Sequence, residues 1–206
     1  MNQEKYLSLF YNETTLQDVL IAKVSNPDKL SVIHTENKGD VVIFYGEANC
    51  LLGFNILQAS QKELFLKNGL NRPTSELISK LEKLTGLDLS AYCDKVPFYI
   101  GEIKTATPIP NSHLNYCEVN INAPELLKIV CGGTNVRPNL KVVVVVPGGM
   151  VINGLEIAPS KVLGHQSAGM LCSAKELGLK QTTPDRTILE LPDTEIVGKN
   201  FYDLYR

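Results

Sequence analysis

Residues 129–149 read IVCGGTNVRPNLKVVVVVPGG, a stretch in which two apolar runs flank a loop rich in glycine, asparagine and proline. The second run contains five consecutive valines, and β-branched residues bounded by turn residues predict a strand buried on both faces. Gly132 and Gly133 follow the first run, where they predict a turn that requires positive φ. The stretch therefore predicts two strands of one sheet, with a glycine turn after the first.

The glycine pair does not predict a phosphate loop. A P-loop requires GxxxxGK[ST] and a dinucleotide fold requires GxGxxG opening a helix, whereas CGGTNV is followed by Pro138 and a strand. The five cysteines and three histidines show no CxxC or HxxxH spacing, so neither a metal site nor a cofactor is expected. Cys117 and Cys131 lie in strand patterns and are predicted to be buried thiols without chemistry.

Short strands separated by glycine, proline and asparagine occupy the chain on both sides of this stretch. Five such strands with glycine-rich turns favour a small closed barrel over a doubly wound sheet. Helical periodicity is nearly absent here until SAKELGL, where Ser173 is a candidate cap for a turn or two of helix. The predicted strands are residues 98–104, 116–121, 126–131, 141–146 and a short one near 155–158.

The first half of the chain predicts an α+β domain. In SELISKLEKLTGLDL apolar residues recur at helical spacing, Pro73 and Thr74 or Ser75 mark a start, and Gly86 fits a stop. Apolar, β-branched and aromatic runs predict strands at residues 6–11 and 18–24 and a hairpin of residues 41–45 and 51–56 around a turn. We place the boundary near residues 90–95, with an α+β domain over 1–92 and an all-β domain over 93–206.

Composition and charge limit the classes of function. The 206 residues are 44% hydrophobic and carry a net charge of -2, which excludes attraction to polyanions through a strong global field. Residues 95–181, with eight Lys and Arg against five Asp and Glu, are the only mildly basic part. The start lacks a signal-peptide apolar region, and no apolar run approaches the roughly 18 residues of a membrane helix. Unspaced cysteines in odd number favour reduced thiols, so a cytoplasmic location without membrane association is expected.

Nucleophilic catalysis is not predicted. His165 lies near Ser167 and Cys172 in sequence, but no carboxylate stands out as a third member and no GxSxG elbow is present. A loop histidine satisfied by hydrogen bonds is the favoured interpretation, and no enzymatic activity is expected.

Residues 161–179 read KVLGHQSAGMLCSAKELGL, which combines small residues with Lys161 and Lys175. Small hydroxyl and glycine residues let another backbone approach closely, and lysines supply phosphate contacts. By composition alone, an RNA-binding loop and a packed crossover loop with a helix cap remain equal alternatives.

Several segments together resemble a known family. IVCGGTNV, KVVVVVPGG and SAGMLCSAKELGL are similar to the tRNA-binding domain found at the C terminus of EMAP II, at the N terminus of bacterial phenylalanyl-tRNA synthetase beta chains and in free-standing tRNA-binding proteins. The resemblance covers about residues 96–191, and SxGMxCS at 167–173 is its most specific motif. In the first half, KGDVVIFYGEANCLLGFNILQAS resembles the N-terminal extension of YtpR-type proteins. The resemblance implies a five-stranded, Greek-key OB-fold barrel that binds tRNA mainly through shape and backbone.

The resemblance also implies RNA-contacting residues. Asn135, Ser167, Met170 and Ser173 match motif positions near the expected RNA face, and Lys161 matches a basic position before them. The family's loop lysine is missing from IPNSHL, residues 109–114, and Leu163-Gly164 replaces an Arg-Gly pair, which predicts weaker binding with a flatter salt dependence. The complete predicted RNA-binding set is Lys104, Asn135, Arg137, Lys141, Lys161, Ser167, Gly169, Met170, Ser173 and Lys175.

These observations predict a non-enzymatic RNA-binding protein whose partner is tRNA or another structured RNA, bound with micromolar or weaker affinity. The alternative is a protein-interaction or assembly module that keeps the OB scaffold without strong RNA binding, which the missing cations and the acidic first half and tail favour. A homodimer through an exposed edge strand is a further expectation. Charge reversal at Lys161 separates the two, because it abolishes RNA binding in the first and leaves partner binding intact in the second.

Overall fold

The computed structural model describes residues 4–180 and 184–203 and divides the chain into two compact units, Met1–Val96 and Pro97–Arg206. Both units consist mainly of antiparallel β-structure, and each has its own apolar cluster. The predicted boundary between residues 92 and 93 separates two domains that each fold independently, and this boundary stays a prediction.

The first unit is a six-stranded antiparallel sheet accompanied, among the described residues, by one α-helix. Its elements are β1 (Leu7–Asn12), β2 (Val19–Val24), β3 (His34–Lys38), β4 (Val41–Tyr45), β5 (Leu51–Ile56), β6 (Gly69–Asn71) and α1 (Ser75–Thr85). The strand order is β3-β4-β5-β2-β1-β6. Leu9, Leu20, Ile43 and Phe54 from four strands and Leu81 from α1 are fully buried in one cluster. The unit is therefore mostly β, and the α part of the predicted α+β class rests on α1.

The sequence signals located most of this unit. The predicted strands at residues 6–11 and 18–24, the hairpin of β4 and β5, and the helix are confirmed to within one residue at most boundaries. The Thr74 hydroxyl accepts a hydrogen bond from the Leu77 amide at 3.3 Å, and Gly86 ends the helix with φ +75°. Strand β3 was not predicted, because it is polar and mostly exposed at the sheet edge and so lacks an apolar alternation.

The second unit contains a five-stranded antiparallel barrel sheet of the OB type. Its elements are β7 (Phe98–Pro108), β8 (Asn115–Asn120), β9 (Leu127–Cys131), β10 (Lys141–Val145), β11 (Ser160–Val162), β12 (His165–Ser167), β13 (Met170–Leu171) and β14 (Glu190–Leu191). The barrel order is β13-β10-β7-β8-β9, with β14 also on β10 and a separate β11–β12 hairpin. Because β10 lies beside β7, the order β10-β7-β8-β9 is that of a Greek key, as predicted.

The valine run forms β10 at the centre of this sheet. Val142, Val143, Val144 and Val145 are all fully buried, as predicted for a strand covered on both faces. Four predicted barrel strands are confirmed, but the fifth, placed near residues 155–158, is wrong. The fifth barrel strand is β13, and that predicted segment contributes only an isolated bridge between Glu156 and Met150.

Residues just before β13 bring the two ends of the sheet together. The Ala168 amide donates to the Lys128 carbonyl at 2.8 Å, and the Ser167 hydroxyl accepts from the Val130 amide at 3.1 Å. Gly169 has φ +148°, and a Cβ there would lie 3.0 Å from the Val145 carbonyl oxygen. A side chain at this point would be tightly confined, and the sheet is nearly closed between β9 and β13.

Candidate nucleic-acid interface

The last described segment, residues 184–203, runs over the barrel, and we call it the strap. It supplies β14 to β10 and bridges Asn200 to Tyr99 in β7. The Ile100 amide donates to the Lys199 carbonyl at 2.8 Å, and Phe201 near the end of the strap is buried. The strap is thus an integral part of the second unit.

Two predicted RNA contacts hold the strap. The Asn135 amide nitrogen donates to the Ile188 carbonyl at 3.0 Å and to Glu190 at 2.9 Å, and its oxygen accepts from the Ile188 amide at 3.0 Å. Arg137 makes a bidentate pair with Glu190 at 2.9 and 2.8 Å. The Arg137 and Asn135 hydrogen bonds lower the pKa of Glu190 to about 2. These contacts satisfy the polar atoms of Asn135 and tie the Arg137 guanidinium to a carboxylate.

Two further predicted cations also have partners within the unit. The Lys141 ammonium donates to the Glu195 carbonyl of the strap. Lys104 on β7 forms an ion pair with Glu102 at 2.9 Å, with both side chains at least partly exposed. Exposed ion pairs of this kind exchange readily with other anions, so Lys104 remains accessible to a phosphate.

Three other predicted residues form framework contacts. Ser167 is buried and bonds to Val130, and Gly169 lies at the close approach described above. The Ser173 amide and hydroxyl donate to the Glu176 carboxylate at 2.6 and 2.7 Å, and the Glu176 amide donates back to the Ser173 hydroxyl at 3.3 Å. This reciprocal arrangement is a capping box, although it begins a hydrogen-bonded turn rather than the predicted helix.

The remaining predicted residues, Lys161, Met170 and Lys175, have side chains that reach solvent. Lys161 lies on β11, opposite Gln166 of β12, and Lys175 lies in the turn after β13. Neither lysine forms a salt bridge with a residue in the described part of the chain. These cations are therefore available to a bound anion.

The outer surface of β8 and β9, together with the β11–β12 hairpin, forms what we call the open face. Tyr116 contacts His165 with ring centroids 4.7 Å apart, and Tyr116 is paired across the sheet with Val130. Glu118 is paired with Lys128, which is exposed, and accepts a hydrogen bond from Thr105 at 3.1 Å. An aromatic pair and the exposed Lys128 thus lie on this surface, and the hairpin adds the exposed Lys161.

The sequence did not reveal the aromatic pair or Lys128 as site residues. His165 carried only the signal of a loop histidine, and Tyr116 only that of a strand residue. Their contact depends on the β11–β12 hairpin folding back on β8 and β9, which local periodicity does not report.

A cleft of about 570 Å³ adjoins the open face and shares Val130 with it. Val130 and Met170 supply apolar surface, the backbone of Gly132 and Gly133 forms one edge, and Lys175 lies at the rim. The opposite wall is formed by strap residues 185–188. Thr134 donates its amide to the Arg186 carbonyl at 2.9 Å, so this wall is tied to the loop after β9.

The position of these groups in the fold defines a class. In an OB-type barrel the second and third strands and the loops after the first and fourth strands bind oligonucleotides. Here those strands are β8 and β9, and the loop after β10 contains the β11–β12 hairpin. Aromatic side chains combined with lysines at these places are typical of nucleic-acid-binding OB domains.

Comparisons with known proteins identify the family. A family model described as "Putative tRNA binding domain" matches residues 98–200, and the chain belongs to this family. It is 36% identical to "Uncharacterized protein MG449" of Mycoplasma genitalium over 97% of this chain and 89% of that protein. It is 32% identical to "Putative tRNA-binding protein YtpR" of Bacillus subtilis over 95% of this chain and 99% of that protein. The predicted resemblance is confirmed.

About half of the chain is similar to part of a larger protein. The phenylalanine–tRNA ligase beta subunit of Legionella pneumophila is 45% identical over 48% of this chain and 12% of that subunit.

Among the residues that the structure describes, no helix has the length and apolar character to cross a membrane, and no three His, Cys, Asp or Glu side chains are grouped to hold a metal ion. Burial raises the pKa of Cys117 to about 12, which keeps this thiol protonated.

Proposed function

We propose that this protein binds tRNA through the open face of its barrel and catalyses no reaction. The main support is the match of the tRNA-binding family model to residues 98–200. The exposed lysines and the Tyr116–His165 pair of the barrel also lie where OB folds bind nucleic acid. The relatives' names point to the same partner.

In this proposal some of the predicted residues act together with Lys128, Tyr116 and His165, which the sequence did not reveal as site residues. Lys128, Lys161 and Lys175 contact phosphates, and Tyr116 and His165 present ring surface to the RNA. The rest act differently. Met170 contributes apolar contact and Lys104 an outlying cation, while the predicted residues that hold the strap or the barrel closure position the surface: Asn135, Arg137, Lys141, Ser167, Gly169 and Ser173.

A small number of cations predicts moderate affinity with a measurable salt dependence. Each phosphate that the protein neutralises adds about 0.7–0.9 to the steepness with which log affinity falls against log salt. With three principal phosphates, raising salt fourfold weakens binding by about 20- to 40-fold. This dependence identifies backbone contacts as the main source of affinity.

The test is a fluorescence titration of the full chain with total tRNA at low and at fourfold higher salt. We expect a dissociation constant in the micromolar range at low salt, the stated weakening at higher salt, and recovery of tRNA unchanged in length. Absence of binding at low salt contradicts the proposal. A partner protein that remains bound after nuclease treatment, from a chain that does not bind tRNA, supports the alternative assembly module instead.

Three finer features belong to the same proposal. We propose that residues 93–206 are the tRNA-binding domain, that the protein works in the cytoplasm where tRNA is used, and that it forms a homodimer through an exposed strand. Light scattering coupled to gel filtration measures the oligomeric state, and a monomeric mass over the working concentration range contradicts the dimer. Expression of residues 93–206 alone, followed by the same titration, tests the domain assignment.

A further inference from the structure

The cleft beside the open face has the size of a small-molecule site. Its volume of about 570 Å³ lies within the range of about 300–1,000 Å³ that is typical of pockets for small ligands. The partly exposed side chains of Val130 and Met170 line it, and the buried side chain of Ile188 lies at the strap wall. Apolar side chains beside the backbone edge of Gly132 and Gly133 suit a flat, hydrophobic ring.

The charged side chains that line this cleft differ in whether they already have a partner within the chain. Lys175 and Arg186 are exposed cations at the rim, and neither forms a salt bridge in the described part of the chain. Of the two carboxylates in the lining, that of Glu176 accepts the hydrogen bonds of the capping box. The lining thus contains two cations and two carboxylates, and Lys175 and Arg186 are the groups that can bind a phosphate.

We infer that this cleft takes one unpaired nucleotide of the bound RNA, with its base on Met170 and Val130 and its phosphate at Lys175 and Arg186. The inference rests on the proposed tRNA binding and adds what the surface selects. The base of an A-form duplex is stacked and paired and cannot enter a cleft, whereas an unpaired base of a loop or end can be splayed out.

The position of the cleft supports this choice of occupant. Val130 lines the cleft and is also the cross-strand neighbour of Tyr116, so the cleft continues directly from the aromatic pair. Successive unpaired bases on successive apolar and aromatic groups are the usual way in which single strands bind to OB folds. A strand that lies on the Tyr116–His165 pair therefore places its neighbouring nucleotide at the cleft.

The experiment compares two RNAs on the full chain at one salt concentration. Total tRNA and a blunt RNA duplex with a similar number of phosphates are each titrated against the wild type and Met170→Asp. Stacking of one base predicts that the wild type prefers tRNA by about tenfold. Met170→Asp is expected to lose this preference, while its affinity for the duplex falls only by what one added negative charge causes, because every cation is retained.

Control variants keep the result interpretable. Ile196→Asp adds the same charge at an exposed isoleucine of the strap outside the cleft, and we expect it to retain the preference. If Met170→Asp unfolds, Met170→Ala removes the apolar surface without adding charge, and it is expected to lose most of the preference. Thermal unfolding of each variant establishes that it is folded.

The outcomes separate the two proposals. Retention of the tRNA preference by folded Met170 variants overturns the nucleotide cleft and leaves tRNA binding standing. Failure of the wild type to bind either RNA contradicts the proposed function, and the cleft inference with it. A mixture of nucleoside monophosphates that displaces tRNA at equal concentration assigns the cleft to a free nucleotide and also overturns the inference.

Discussion

The strap side and the open face of the same barrel use similar residue types in different ways. On the strap side, Asn135, Arg137 and Lys141 each bind a strap residue. On the open face, Lys128 and Lys161 are exposed without a salt bridge among the described residues. A polar residue near a binding motif can therefore contact a ligand only if the fold leaves its polar atoms available.

We expect the largest loss of stability from a substitution at Gly169, where the chain before β13 closes the barrel. Gly169→Ala places a Cβ 3.0 Å from a carbonyl oxygen at φ +148°, so we expect a loss of about 2–3 kcal/mol in the free energy of unfolding. Gly164→Ala is the matched control, because it has positive φ but open space around it, and should lose about 1 kcal/mol. Urea unfolding measures both values. Equal losses would show that backbone strain alone, and not the close approach, determines the effect.

Charge reversal on the open face and on the strap should have different effects on tRNA affinity. Lys161→Glu removes a proposed phosphate contact and adds repulsion, so we expect the dissociation constant for tRNA at low salt to rise about tenfold. Lys199→Glu makes the same charge change on the strap and is expected to have an effect below about twofold. Fluorescence titration checks both variants. Equal weakening by the two would indicate a response to net charge instead of a defined face.

Asn135→Ala is expected to affect stability more than RNA contact. It removes three hydrogen bonds that hold the strap, and we expect a loss of about 1–2 kcal/mol in the free energy of unfolding. Affinity for duplex RNA should stay within about twofold, because no proposed phosphate contact is removed. Thr134→Ala is the neighbouring control, since its hydroxyl makes only a 3.5 Å contact with Arg186. A large loss of duplex binding by the Asn135 variant would assign it to the contact surface.

The smallest effect is a dependence on pH. The pKa of Glu190 is lowered to about 2 in the folded chain, against about 4.3 for an unfolded glutamate, so its pairing stabilises the fold above pH 4.3. This contribution is lost as the pH falls from about 4.3 towards 2, and it stays below about 1 kcal/mol because the pair is exposed. The difference in unfolding free energy between wild type and Glu190→Gln measures it. A difference that does not shrink on acidification contradicts the assignment.

Local patterns predicted most of the framework. Periodicity and caps located α1, and β-branched runs located the first four barrel strands, since these signals arise from neighbouring residues. They misplaced the fifth strand, because β13 is only two residues long and pairs through Met170 and Leu171. A strand of that length has no period to detect.

The candidate site was predicted less completely than the fold. The motif segment predicted a site at Lys161, Met170 and Lys175, whose side chains reach solvent, and their contact with RNA stays a prediction. It could not reveal that Asn135 binds the strap, because the partners of that side chain belong to a distant segment. The Tyr116–His165 pair was missed for the same reason, since tertiary folding alone brings the two rings together.

The pairing of Arg137 with Glu190 has a consequence for how related sequences vary. The two positions are 53 residues apart in the chain, yet two hydrogen bonds join their side chains. Loss of either charge leaves the other without an opposite charge, whereas exchange of the two residues keeps the ion pair. Across homologues these two positions should therefore change together, as a correlated substitution that marks the packing of the strap and carries no information about RNA preference.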